Sequence, residues 1–127
     1  MRKTRVKWVG LAALLFAVFA ARDAAAENET IKVKSMAETD VRIVFFSQDR
    51  HKVWPNPGLS FDLKDYKDHD IKLACIKDEQ ICYGAWVTNT NRYWGVGRDG
   101  KATCRGCCYK CEGRSTREIV LHDPVRR

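Results

Sequence analysis

The cysteines constrain the folding of this chain more than any other feature of its sequence. Four of the six fall within the eight residues C-R-G-C-C-Y-K-C. This density is compatible with a metal site, a thiol redox centre or a disulfide scaffold. The full set is Cys75, Cys82, Cys104, Cys107, Cys108 and Cys111.

The N-terminal segment predicts export. Residues 1–7 carry four basic side chains, residues 8–21 form an apolar run of 14 residues, and residues 24–26 are alanines. A basic region, an apolar region and an A-x-A site together indicate a secretory signal peptide. Because a spanning helix needs about 20 apolar residues, we expect a signal helix at 1–26 that is cleaved near Ala26. The mature chain is then secreted or periplasmic, with no permanent membrane anchor.

Export favours the disulfide interpretation of the cysteines, since an even number in an oxidising compartment indicates three disulfides. A structural zinc site is disfavoured because its two C-x2-C units are normally well separated, whereas here they are fused. The C-x-x-C motif Cys104–Cys107, with Arg105 beside it, suits a redox centre. However, the helix that such a motif normally opens is not indicated. We therefore predict no metal site, and keep thiol-based redox or metal binding as the alternative function.

Two families of disulfide pairing are physically sensible. In the first, residues 71–86 form a hairpin in which Cys75 faces Cys82, and the cluster bridges internally. In the second, Cys75 and Cys82 each bond into the cluster, where the adjacent Cys107 and Cys108 face opposite ways in an extended segment. We favour the second because it closes longer loops, and both remain open at this point.

Size and charge limit the function further. Residues 1–26 contain five of the 23 basic residues and one of the 16 acidic ones, so the rest of the chain carries 18 and 15, a net charge of +3. This excess is too small to indicate nucleic-acid binding. Residues 27–127 fit one small domain. We expect a polar arm at 27–40, with an alternating stretch at Ile31–Lys34, and a frayed tail at 123–127.

The remaining pattern predicts an all-β fold, a small antiparallel β-sandwich or barrel of about seven short strands. Residues 41–47 are apolar on both faces and indicate a central buried strand. Leu59, Phe61 and Leu63 alternate with polar residues, as do Ile71, Leu73 and Cys75. Beyond the signal segment no stretch has helical spacing. The predicted strands are 41–47, 51–54, 59–63, 70–76, 80–87, 92–97 and 117–122.

One hairpin collects most of the aromatic residues and is the candidate ligand surface. Its glycines, Gly84, Gly95 and Gly97, permit close approach of a ligand or of another backbone segment. The aromatic rings suit stacking on a saccharide or anchoring of a protein partner, and the alternative is that they build the core. The candidate residues are Tyr83, Trp86, Asn89, Asn91, Arg92, Tyr93 and Trp94.

No catalytic signature accompanies this surface. His51, His69 and His122 are far apart in sequence, and Asp68–Asp70 belongs to a charged loop. The chain contains no nucleophile elbow, phosphate-binding glycine loop or H-E-x-x-H motif. We therefore expect a non-enzymatic exported domain, a binding or structural module without catalytic residues or a cofactor.

Overall fold

The computed structural model describes residues 26–37, 40–64, 66–113 and 116–122. Across these ranges the protein is all β, so it contains no helix that is long and apolar enough to cross a membrane. The predicted signal peptide and the tail at 123–127 lie outside the described residues. The strands are β1 (Ala26–Ser35), β2 (Val41–Ser47), β3 (Val53–Trp54), β4 (Phe61–Leu63), β5 (His69–Ile76), β6 (Gln80–Val87), β7 (Tyr93–Gly95), β8 (Cys108–Lys110) and β9 (Thr116–Leu121).

The strands form two sheets, and neither closes on itself. The three-stranded sheet has the order β5-β1-β9. The six-stranded sheet has the order β3-β2-β6-β7, with β4 also paired to β2 and β8 to β6. All these pairings are antiparallel except that of β1 with β9. A parallel pair needs a long connection, and here most of the domain lies between the two strands.

Strand β1 is much longer than the alternating stretch Ile31–Lys34 that the sequence indicates. It runs for ten residues from Ala26 and occupies the centre of the three-stranded sheet. Its buried face includes a carboxylate, Glu29, as well as Ile31 and Val33. Because the first residues of this strand are polar, apolar alternation does not predict them as part of a strand. Their pairing with β5 and β9 shows that they are.

The buried side chains of both sheets meet in one hydrophobic core. Ile71, Leu73 and Cys75 lie on the buried face of β5, as their alternation predicts. Strand β2 contributes Ile43 and Phe45 from the six-stranded sheet, and its neighbour Val44 is buried on the opposite face, so this strand is covered on both sides.

The prediction for residues 59–63 is partly wrong. Leu63 is buried and Phe61 half-buried, but Leu59 is 58% exposed and precedes the strand. The backbone N–H of Leu59 donates to the carbonyl of Asn56 at 3.0 Å, which places it in a turn with Gly58. The turn at Pro57-Gly58 thus extends one residue further than the alternation suggests.

All six cysteines are paired in the second of the two arrangements. The bonds are Cys75–Cys111, Cys82–Cys108 and Cys104–Cys107, and none of the described cysteines is free. The hairpin that the first arrangement requires does not form, because β5 and β6 belong to different sheets. The two longer bonds span 36 and 26 residues, and loops of that size contribute roughly 3–4 kcal/mol each in the chain-entropy treatment.

The crossing from β5 to β6 is organised by the buried carboxylate of Glu79. It accepts hydrogen bonds from the Ser47 hydroxyl at 2.6 Å, from the Ile76 N–H at 3.1 Å and from the Arg50 guanidinium, whose Nη2 lies 3.0 Å away. The backbone carbonyl of Glu79 also accepts the N–H of Cys111 at 2.9 Å. One residue therefore joins the crossing turn to β2 and to the segment after β8.

A second buried carboxylate holds the chain after β8. The Oε2 of Glu29 accepts the backbone N–H groups of Glu112 and Gly113 at 2.9 and 3.1 Å. Its other oxygen lies 3.5 Å from Nε of Arg117 on β9. Burying a charge is costly unless it is paired and hydrogen-bonded, and both conditions hold at Glu29.

The environment of Glu79 predicts a pH dependence of stability. Burial by itself raises the pKa of this carboxyl, but the hydrogen bonds from Arg50, Ser47 and the Ile76 N–H, together with the Arg50 charge, outweigh it and lower the pKa. A group with a lowered folded pKa stabilises the fold above its unfolded pKa of about 4.3. That stabilisation is lost as the pH falls through the folded value.

We expect Glu79→Gln to lower the free energy of unfolding at pH 7 by about 2 kcal/mol. Urea unfolding at a series of pH values checks this. Between pH 5 and pH 3 the wild type should lose stability more steeply than Glu79→Gln, while Glu118→Gln, which replaces an exposed carboxyl without an ion pair to a described residue, should keep the wild-type slope. Equal slopes in wild type and Glu79→Gln would contradict the assignment.

Candidate ligand-binding site

The candidate site lies on the outer face of the hairpin formed by β6 and β7. Trp86 pairs directly with Tyr93 across the two strands, so both side chains lie on the same face. The neighbouring cross-strand pair, Ala85 and Trp94, faces the core instead. Trp86 is half-buried, whereas Tyr93 is 53% exposed. Of the four aromatic residues that the sequence predicts for this surface, two therefore lie on the outer face of the hairpin.

The turn between the two strands is fixed by local hydrogen bonds. The hydroxyl and the N–H of Thr90 both donate to the carbonyl of Val87, at 3.0 and 3.2 Å, and the N–H of Arg92 donates to the Thr90 hydroxyl at 3.1 Å. Asn89 has φ 62°, a left-handed conformation that asparagine tolerates well. Asn89 and Asn91 thus lie exposed at the edge of the site on an ordered turn.

The glycines of the hairpin receive the protein's own backbone. A Cβ added to Gly84 would collide with the carbonyl oxygen of Gly97, and one added to Gly95 would collide with that of Tyr83. Residues 96–102 can therefore fold tightly over the outer face of β6. Of the two roles that the sequence permits for Gly84 and Gly95, close approach of backbone is the one that the structure shows.

Residues 96–102 form the second wall of the site and are held at several points. The N–H of Val96 donates to Tyr83, and its carbonyl accepts the N–H of Ala102, both at 3.0 Å. The side chain of Val96 packs with Cys82 and Cys107 in a small hydrophobic cluster that is separate from the main core. Further along the chain, the Cys82–Cys108 bond ties β8, the strand that follows this loop, to β6.

Between the turn and this loop lies a pocket of about 520 Å³. Five of the seven residues predicted from the sequence line it: Trp86, Asn89, Asn91, Arg92 and Tyr93. The size is within the range of small-molecule sites, about 300–1,000 Å³. Aromatic, amide and cationic groups thus converge on one concave surface.

The other two predicted residues do not belong to this pocket. Tyr83 packs against the core, where burial raises the pKa of its hydroxyl. The Trp94 ring also packs against the core, and its Nε1 donates to the carbonyl of His122 at 2.6 Å. Both lie on the inner face of the hairpin, so the alternation of β6 and β7 could have separated them from Trp86 and Tyr93.

Three charged residues of the site were not predicted. Arg98, Asp99 and Lys101 line the pocket, although their sequence context indicates only a surface turn. The guanidinium of Arg98 lies over the Trp86 ring, 5.5 Å from its centroid, which is a cation–π contact. Their one signal in the sequence is position, since they follow the aromatic hairpin directly.

The histidines do not point to a second site. His51 and His122 are exposed, and His69 and Asp70 begin β5, so their side chains lie on opposite faces of it. In the described ranges only Glu29, Cys75 and Cys111 form a group of three possible metal ligands. The two cysteines of this group are joined as a disulfide. A cysteine binds a metal ion as the thiolate, so the bonded pair does not form a metal site.

No protein-family model, no curated protein and no solved structure matches this chain. The site therefore rests on its own geometry. That geometry is a concave surface between an ordered turn and a cross-linked loop, with one exposed aromatic ring, two amides and several charged groups. Such a constellation is suited to non-covalent binding of a small polar ligand that has an apolar face.

The contact between Gly84 and Gly97 predicts how the pocket wall responds to added volume. We expect Gly84→Ala to lower the free energy of unfolding by about 1–3 kcal/mol, the usual cost of overpacking. Because the colliding atom belongs to the backbone, the amide signals of residues 96–102 should shift in a ¹H–¹⁵N NMR spectrum. Gly58→Ala, where a Cβ meets nothing within 4 Å, should leave those signals in place. Unchanged signals in Gly84→Ala would contradict the contact.

Proposed function

We propose that this chain is a small exported β-domain that binds a saccharide in the pocket between the β6–β7 turn and residues 96–102. The architecture proposed for it is an open two-sheet sandwich whose sheets share one core. The domain acts by binding rather than by catalysis.

The lining of the pocket is the observation that supports saccharide binding. A pyranose ring has a C–H face and a rim of hydroxyl groups, each of which both donates and accepts hydrogen bonds. The exposed ring of Tyr93 offers an apolar surface to the face. The amides of Asn89 and Asn91 each provide donors and an acceptor for the rim. Loops held by a rigid sheet are common places for such sites.

A location in the periplasm or outside the cell is part of the same proposal. The basic and apolar pattern of residues 1–26 is that of a cleaved signal peptide. Three disulfides in about 101 residues suit an oxidising compartment, since small exported domains use them to supplement a modest core. The two features are independent of each other and point to the same compartment.

The thiol-based alternative has weaker support. Cys104 is only partly exposed and bonded to Cys107, in a loop rather than at the start of a helix. Catalytic C-x-x-C motifs normally combine a helix N-terminus with a lowered thiol pKa. The remaining two disulfides tie β8 and the residue directly after it to β6 and β5, which is a structural role.

Titration of the ¹⁵N-labelled protein with cellotriose, chitotriose and trigalacturonate tests the proposal. We expect at least one of these probes to shift the amide signals of the 88–92 turn and of residues 96–102. Tyr93→Ala should weaken binding about tenfold, equivalent to about 1.4 kcal/mol, because it removes the stacking surface.

The matched control is Tyr66→Ala, which removes a tyrosine of similar exposure, 48%, outside the pocket lining. It should bind like the wild type. If none of the three saccharides shifts the pocket signals, or if Tyr93→Ala binds as tightly as Tyr66→Ala, the proposal is wrong.

A further inference from the structure

We propose that the saccharide bound by this pocket is acidic, and that Arg98 and Lys101 recognise its carboxylate. This inference rests on the proposed function and adds to it the chemical class of the ligand. It stands on the positive charges of Arg98 and Lys101 in the pocket lining, which have no acidic partner among the described residues.

The charged groups of the lining are predominantly basic. Arg92, Arg98 and Lys101 face one acidic residue, Asp99. A concave site lined mainly by one sign of charge concentrates ligands of the opposite sign. The mature chain is close to neutral by comparison, so this is a local arrangement and not a consequence of a strongly basic protein.

Arg98 and Lys101 have no carboxylate within ion-pair distance among the described residues. Other arginines on the two sheets are matched by acids: Arg42 lies 3.3 Å from Asp62, and Arg50 and Arg117 pair with buried glutamates. Even Asp99, although it is next to Arg98 in sequence, does not form an ion pair with it. The positive ends of Arg98 and Lys101 are therefore available to a ligand.

The contact with Trp86 orients Arg98 without consuming its hydrogen-bonding capacity. The guanidinium carbon lies 5.5 Å from the centroid of the Trp86 ring, and the guanidinium forms no hydrogen bond or ion pair with another described residue. Its N–H groups are therefore available, and they match a carboxylate in a bidentate pair. Holding the group in place before binding also lowers the entropy that the ligand must offset.

A uronic acid combines the two chemistries that the pocket offers. Its ring can stack on Tyr93, and its carboxylate is attached to that same ring, so one residue of sugar carries both the apolar face and the negative charge. An acidic side chain of a protein partner shares the charge but has no ring face for Tyr93. The pocket volume of about 520 Å³ is also in the range of small-molecule sites.

Calorimetric titration with trigalacturonate and with its fully methyl-esterified form tests the inference, because the two have the same skeleton and differ in charge. At low salt we expect the acid to bind at least about tenfold more tightly than the ester. Raising the salt to 0.3 M should weaken binding of the acid and leave the ester unchanged.

The variants identify the residues. Arg98→Gln and Lys101→Gln should each reduce the preference for the acid severalfold, Arg98→Lys should retain part of it, and Asp99→Asn should increase it. Lys77→Gln, an exposed lysine outside the pocket lining, should leave the preference unchanged. Thermal unfolding of each variant verifies that the fold is intact.

The outcomes separate this inference from the function on which it rests. If acid and ester bind equally, or if both Arg98→Gln and Lys101→Gln keep the full preference, the ligand is not recognised by its charge and the inference is overturned, while saccharide binding stands. If neither form binds and no neutral probe binds, the proposed function itself fails, and with it this inference.

Discussion

Strand β8 is cross-linked on both sides, and the shape of the molecule depends on that constraint. Cys108 joins it to Cys82 on β6, and Cys111, directly after it, joins the chain to Cys75 on β5. Because β5 and β6 lie in different sheets, the four residues 108–111 tie the two sheets together. The long loop that precedes β8 is consequently anchored at its end and covers the outer face of β6, where it forms a wall of the pocket.

Buried carboxylates reinforce the same region. Glu79 lies at the crossing between the sheets and Glu29 beneath the chain after β8, and each accepts backbone N–H groups and faces an arginine. Removing one partner from a buried pair costs more than the pair contributes, so these groups specify the path of the chain as well as stabilising it. The cysteines and the two glutamates therefore fix the framework that holds the turn and the loop of the pocket in place.

Local patterns predicted the fold well where the strands are amphipathic. The alternation of Ile71, Leu73 and Cys75 identifies β5, and the apolar run at 41–47 identifies β2. The β5–β6 connection was harder, since a short turn between two strands looks like a hairpin, and nothing local reveals that the chain changes sheet there. Strand β8 was not predicted from the sequence, because it is only three residues long and lies within the cysteine cluster.

The candidate site was also predictable only in part, because local sequence patterns do not reveal contacts between distant segments. Trp86 and Tyr93 belong to the group of aromatic residues and glycines that the sequence places on one hairpin, and their cross-strand pairing follows from that hairpin. Arg98 and Lys101 are ordinary surface residues in sequence. They acquire significance only when residues 96–102 fold back over Gly84, a contact between segments that no periodicity encodes. Long-range backbone contacts of this kind decide which charged residues share a pocket.

Disulfide mapping of the purified protein tests the central claim most directly. Alkylation before and after stepwise reduction, followed by mass spectrometry of the digested chain, reports each pairing even across the adjacent Cys107 and Cys108. The account predicts no thiol labelled before reduction, and links Cys75–Cys111, Cys82–Cys108 and Cys104–Cys107. A Cys75–Cys82 bond, or a cluster whose cysteines are labelled without reduction, would contradict it.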